Sequence, residues 1–150
     1  KCWGRNNTGQ LGLGDNALRG LSPTHMGDNL LDFDAGETVS QITVGELDIC
    51  ILLDASRDIK CWGYFGGGSM DGETTGGTFS YYALFDDYGE SLADKLLLSV
   101  GQVPHACALL DNGTVKCWAS NHHGQLGLGT DQIYVGALDD SLPVLQLLAP

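Results

Sequence analysis

The chain of 150 residues carries 19 acidic side chains against 7 basic ones, a formal net charge of −12. That balance excludes the basic footprint with which proteins displace counterions from nucleic acid. No stretch approaches the roughly 20 apolar residues of a membrane-spanning helix.

The chain opens on Lys1-Cys2-Trp3-Gly4-Arg5-Asn6-Asn7-Thr8-Gly9-Gln10-Leu11-Gly12-Leu13-Gly14, and this string returns as Lys116 to Gly129 with ten of its fourteen positions identical. A worn third copy starts at Lys60-Cys61-Trp62-Gly63, so successive Cys-Trp pairs fall 59 and 56 residues apart. A period of that size is the mark of a repeat architecture. Trp3, Trp62 and Trp118 stand at the same point of each copy. Gly9, Gly12 and Gly14 punctuate a turn-rich segment, as do Gly124, Gly127 and Gly129, where positive φ or close backbone approach is expected. Leu11 and Leu13, in the string whose second copy holds Leu126 and Leu128, read as apolar plugs between neighbouring sheets. Asn6 and Gln10, like Asn121 and Gln125, read as buried amides that satisfy turn backbone, because they recur with the repeat and offer both donors and acceptors.

Short β-branched and apolar runs between glycines predict an all-β chain. The first strand is expected around Leu30 to Phe33, then Val39–Val44, Asp48 to Leu53 and Asp58 to Trp62. The order repeats with Leu96 to Val100, His105 to Leu110, Thr114 to Trp118 and a weaker run from Leu142 to Leu147. The nearly all-apolar Cys107-Ala-Leu-Leu predicts burial on both faces. The lysines before Cys61 and Cys117 are expected near the rim of their sheets.

Five cysteines is an odd number, yet four of them flank two hairpins. Between Cys107 and Cys117, Asp111-Asn112-Gly113 suits a three-residue loop with Gly113 left-handed. Counting outward from it sets Cys107 opposite Cys117. Between Cys50 and Cys61 a four-residue loop, Asp54 to Arg57, sets Cys50 opposite Cys61. Facing residues of antiparallel strands lie about 4.5–5.5 Å apart at Cα, within disulfide range. Two disulfides would indicate an oxidising compartment, secretory or extracellular, with nucleus or cytoplasm as the alternative. Cys2 matches Cys61 and Cys117 but has no mate, so its partner strand is expected upstream and the chain reads as a piece of a longer one. No C-x-x-C or histidine spacing points to zinc, no EF-hand spacing points to calcium, and no metal or cofactor is expected.

Seven of the twelve aromatics fall between Tyr64 and Tyr88. Aromatics are enriched at interaction hot spots, so Tyr64, Phe65, Tyr81, Tyr82 and Tyr88 form the candidate partner surface. The alternative is a degenerate repeat in which Thr78 to Phe85 is an ordinary strand. Asn6-Asn7-Thr8 and Asn112-Gly113-Thr114 are glycosylation sequons, with Asn112 at a hairpin tip.

Cys-Ala-Leu-Leu-Asp-Asn-Gly-Thr-Val-Lys-Cys-Trp, followed by Asn-x-x-Gly-Gln-Leu-Gly-x-Gly, resembles the repeats of the regulator of chromosome condensation family. Gly101, His105 and Cys107 fit the preceding part of that pattern, with Pro104 as one extra residue, and Met26-Gly-Asp-Asn-Leu30 looks like the linker of its cysteine-bearing branch. The resemblance implies a β-propeller of four-stranded antiparallel blades. This chain would supply about two and a half repeats, with boundaries near 1–62, 63–118 and 119–150, completed by missing blades. Departures are Ala119 in place of Gly4, Asp48 where His105 stands, and the loss of Gln-Leu-Gly-Leu-Gly after Trp62.

No nucleophile triad, paired carboxylates or cofactor fingerprint is present, so the chain is expected to be a non-enzymatic scaffold for protein–protein contact. The alternatives are guanine-nucleotide exchange on a small GTPase, the family's founding role, and a secreted enzyme inhibitor.

Overall fold

The computed structural model describes residues 1–64, 80–82, 93–98, 105–131 and 143–145. They contain two antiparallel sheets. The first runs in the order β1 (Val39–Val44), β2 (Asp48–Leu53), β3 (Ile59–Gly63) and β4 (Ser80–Tyr82). The second runs β5 (Ala93–Leu98), β6 (His105–Leu110), β7 (Val115–Ala119) and β8 (Val144–Leu145). Each sheet has a body of three strands, five or six residues long, with a fourth of only three or two residues at its edge.

Both sheets are open. Neither curls until its last strand meets its first, and among the described residues no strand joins one sheet to the other. The expected β-propeller is therefore corrected: the molecule shows two small open sheets, not a closed arrangement of four-stranded blades. A propeller is a ring of sheets, and hairpin periodicity specifies neighbours within a sheet without closing a ring.

The hairpins follow from their loops. Leu110 N–H donates to the Thr114 carbonyl at 2.8 Å, Gly113 N–H to the Leu110 carbonyl at 2.9 Å, and Gly113 has φ 82°. This is the three-residue loop that Asp111-Asn112-Gly113 predicts. Leu53 N–H donates to the Asp58 carbonyl across the four-residue loop, and Arg57 takes φ 62° there. A Glu37 carboxylate oxygen accepts from the Ala55 and Ser56 amides and the Ser56 hydroxyl, tying that loop to the entry of β1. These donors hold its carboxyl below the usual range, with the Ser56 amide first.

β2 and β3 are buried along their whole lengths. On one face Ile49, Ile51, Leu53 and Trp62 form a core with Ala35, against which Cys2 and Phe33 pack. On the other face Cys50, Leu52, Ile59 and Cys61 are fully buried, and β5 runs beside β1 and β2.

Three expectations need correction. Leu30 to Phe33 is not a strand: it follows a 3-10 turn, Gly27–Asn29, and Phe33 stacks on Trp62 with ring centroids 4.8 Å apart. β4, inside the expected Thr78–Phe85, takes the fourth place instead. β5 begins at Ala93, not Leu96, because it repeats the irregularity of β1: the register shifts between Ala93 and Lys95 as between Val39 and Gln41. Lys60 and Lys116 are not rim residues. Both are 7% exposed, and Lys60 Nζ donates to the Ala35 carbonyl at 2.6 Å.

Gly63 ends β3 opposite Asp48 with φ 104°. A Cβ there would overlap the Leu47 carbonyl and come within 2.8 Å of Asp48 Cα. Gly63→Ala is expected to lower the unfolding free energy by about 2 kcal/mol in chemical denaturation. Ala119 holds the matching place opposite His105 at φ 77°. Ala119→Gly relieves that backbone and is expected to change stability by less than about 1 kcal/mol.

Candidate functional site

The repeated string folds alike in both copies. Asn6 is fully buried. Its Oδ1 accepts from Leu11 N–H at 2.8 Å, and its Nδ2 donates to the Asp15 carbonyl at 2.7 Å and the Ala17 carbonyl at 3.2 Å. Asn121 does the same: Oδ1 accepts from Leu126 N–H at 2.9 Å and Nδ2 donates to the Thr130 carbonyl at 2.8 Å. Gln10 Oε1 accepts from Thr8 N–H, and Gln125 Oε1 from His123 N–H, both at 2.9 Å. Gly9, Gly12 and Gly14 share their left-handed backbone with Gly124, Gly127 and Gly129. Leu11 and Leu126 are buried beneath these turns. Arg19 braces the first copy with an ion pair to Asp15 at 2.6 Å. The Ala17 amide, then Arg19, hold the Asp15 carboxyl below its usual range.

The tryptophans divide. Trp62 and Trp118 are 1% exposed and Trp3 is 60% exposed. Trp62 Nε1 donates to the Gln10 carbonyl at 2.9 Å, so the Gln-Leu-Gly turn ahead of it closes its indole in. Trp118 Nε1 is buried and finds no acceptor among the described residues.

The two hairpins bring their cysteines into bonding register. Cys50 is bonded to Cys61 with Cα atoms 4.1 Å apart, and Cys107 to Cys117 at 4.0 Å. Cys2 is a free thiol, partly buried against the core. Two disulfides fit an oxidising environment.

Of the candidate partner residues, Phe65 and Tyr88 lie outside the described residues. Tyr81 and Tyr82 sit on β4, at the edge of the first sheet, opposite Lys60 and Ile59. Tyr64 follows β3, is 37% exposed and donates its amide to the Leu47 carbonyl at 2.9 Å. The register places Tyr81 and Tyr82 beside the start of β3 and Tyr64 past its other end, so the sheet carries these three but does not bring them together. Among the described residues no cluster of three or more His, Cys, Asp or Glu is placed to hold a metal. No described helix is long and apolar enough to cross a membrane.

One residue was missed by sequence reasoning. Asp48 opens β2, is 1% exposed, and neither of its carboxylate oxygens has a hydrogen-bond partner among the described residues. Burial pushes its carboxyl up from 3.8 to about 6, and the nearby Leu47 amide, which makes no well-formed bond to it, only partly opposes this. Its signal was the replacement of the His105 position by an acid. Because the folded pKa is raised, the folded state holds the proton more tightly than the unfolded chain. Acidification through about pH 6 therefore removes a cost, completely below about pH 4. Asp48→Asn is expected to stabilise the chain by about 2 kcal/mol at about pH 8, with the gain vanishing near pH 4, in denaturation curves across that range.

Residues 2–47 and 105–125 match the model of the regulator of chromosome condensation (RCC1) repeat. The chain carries RCC1 repeats. Among known proteins it is similar to the Ultraviolet-B receptor UVR8 of Arabidopsis thaliana, with 28% identity over 127 residues, 85% of this chain and 27% of the receptor. Among solved structures it matches human WBSCR16, with TM-score 0.56 and 19% identity, over 89% of this chain and 33% of that one. The second match is a likeness of fold. The chain thus spans about a quarter to a third of the length of these two proteins.

Proposed function

We propose that this RCC1-repeat chain is a scaffold for protein contact, without chemistry of its own, working in an oxidising compartment such as the secretory lumen. The observation that carries this is where the polar residues of the repeat lie. Asn6, Gln10, Asn121 and Gln125 bond their own turns, so the residues that look most like a site serve the framework. The proposed contact surface comprises Tyr81 and Tyr82 on the edge strand β4, Tyr64 past the far end of β3, and Phe65 and Tyr88. The two disulfides support the compartment.

A second reading has its own support. The family match favours the founding role of that family, guanine-nucleotide exchange on a small GTPase, over a secreted module of unspecified partner. Release of fluorescent GDP from a panel of small GTPases, with and without the chain, separates the two. Acceleration supports exchange. Binding without acceleration, weakened by Tyr81→Ala with Tyr82→Ala, supports the scaffold. Binding indifferent to that pair removes the tyrosine surface.

A further inference from the structure

Two tripeptides, Asn6-Asn7-Thr8 and Asn112-Gly113-Thr114, have the pattern that accepts an N-linked sugar, and the fold treats them oppositely. The framework consumes the first. Asn6 is fully buried. Its Nδ2 donates to the Asp15 and Ala17 carbonyls at 2.7 and 3.2 Å and to Asp15 Oδ1 at 3.1 Å. The Thr8 hydroxyl donates to Gln10 Oε1 at 2.8 Å. A sugar on Asn6 would replace one of the donated protons and would need room inside a packed interior. A chain modified there does not reach this fold.

The second tripeptide stands clear. Asp111, Asn112 and Gly113 are all exposed at the tip of the hairpin that joins β6 to β7. A Cβ at Gly113 would meet nothing within 4 Å. Asn112 braces its loop through one side-chain atom: Oδ1 accepts from the Thr114 amide at 2.9 Å and the Thr114 hydroxyl at 2.7 Å. Its Nδ2 donates to no described residue. The amide and the hydroxyl that define the acceptor pattern therefore lie side by side, with the nitrogen left to solvent. The turn uses Oδ1 and a sugar takes Nδ2, so the loop keeps both bonds after modification. A loop tip is also where a bulky polar group disturbs a fold least.

We propose that Asn112 is an N-glycosylation site and that the Asn6 tripeptide goes unused in the folded chain. The donor is an oligosaccharide carried on a lipid diphosphate. Asn112 Nδ2 forms a bond to C1 of the first sugar. The bond from C1 to the diphosphate oxygen breaks, and its electron pair leaves on the lipid diphosphate. One Nδ2 proton passes to a base of the transferase, and nothing is oxidised or reduced. The inference rests on the oxidising-compartment reading, because the sugar is added in the secretory pathway, where disulfides also form.

The test secretes the chain from cultured animal cells behind a signal peptide and weighs its intact glycopeptides. Intact masses are needed because an asparagine before glycine also becomes aspartate by loss of ammonia, which mimics the scar of sugar removal. A sugar at Asn112, none at Asn6, and a single downward gel shift with peptide N-glycosidase are expected. The shift should be lost in Asn112→Gln and in Thr114→Ala and kept in Thr114→Ser, so the result does not hang on one variant folding. Free thiols are counted in the same sample. A bare Asn112 in secreted chain whose two disulfides are formed overturns the proposal and leaves the compartment reading standing. Sugar at Asn6 in such a chain overturns the choice between the tripeptides, and the proposal with it. Sugar at Asn112 with all five thiols free supports the acceptor and removes the compartment reading instead.

Discussion

Replacing all four bonded cysteines with alanine is expected to lower the unfolding free energy by about 6 kcal/mol, and replacing either pair alone by about 3 kcal/mol. The bridges span 11 and 10 residues of sequence. On the loop-entropy model a closed loop of that size stabilises by about 3 kcal/mol. The two hairpins belong to different sheets, so the losses should add, to about 6 kcal/mol. A domain of this size usually holds about 5–15 kcal/mol in total. The Cys50–Cys61 pair should cost slightly more than the other. Both of its residues are fully buried, while Cys107 is only partly buried. Denaturant midpoints with and without reductant, on wild type and on each double variant, measure the terms separately. A wild-type midpoint unmoved by full reduction would show that the hairpins hold by packing alone.

The hairpins were legible because their information is local. Asp111-Asn112-Gly113 fixes a loop length, the loop fixes a register, and the register places Cys107 against Cys117. The bounds of β1, β2 and β6 followed from the same alternation. Closure was not legible. Whether a sheet curls into a ring depends on edges that lie far apart in sequence, and repeat spacing does not describe them. Leu30 to Phe33 misled because an apolar run looks the same whether it pairs as a strand or lies on a sheet as a cap. Lys60 misled for a related reason. A lysine in a strand suggests a wet rim, yet this one reaches a buried carbonyl at Ala35. The clue was its recurrence, since Lys1 likewise donates to the Leu30 carbonyl at 2.7 Å. Asp48 could be seen as a departure from the repeat, but its unpaired oxygens exist only once β2 meets the Gly45 turn and the N-terminal string.

Trp62→Ala is expected to lower the unfolding free energy by about 3–5 kcal/mol, the range for truncating a buried tryptophan. The indole is 1% exposed, sits in the core with Ile49, Ile51 and Leu53, and stacks on Phe33. Truncation empties that space and leaves the Gln10 carbonyl without its donor. Trp3→Ala, at the same point of the repeat but 60% exposed, should cost less than about 1 kcal/mol. Phenylalanine isolates the hydrogen bond from the packing. Trp62→Phe loses the bond to Gln10 as well as volume, and should cost about 1–2 kcal/mol more than Trp118→Phe. Trp118 has no such bond to lose. Among the described residues its buried N–H lacks an acceptor, so phenylalanine there removes an unsatisfied donor together with some packing, and the two effects oppose each other. Denaturation of the two phenylalanine variants side by side reads the difference directly. Equal losses at both positions would mean that the Gln-Leu-Gly turn contributes packing only.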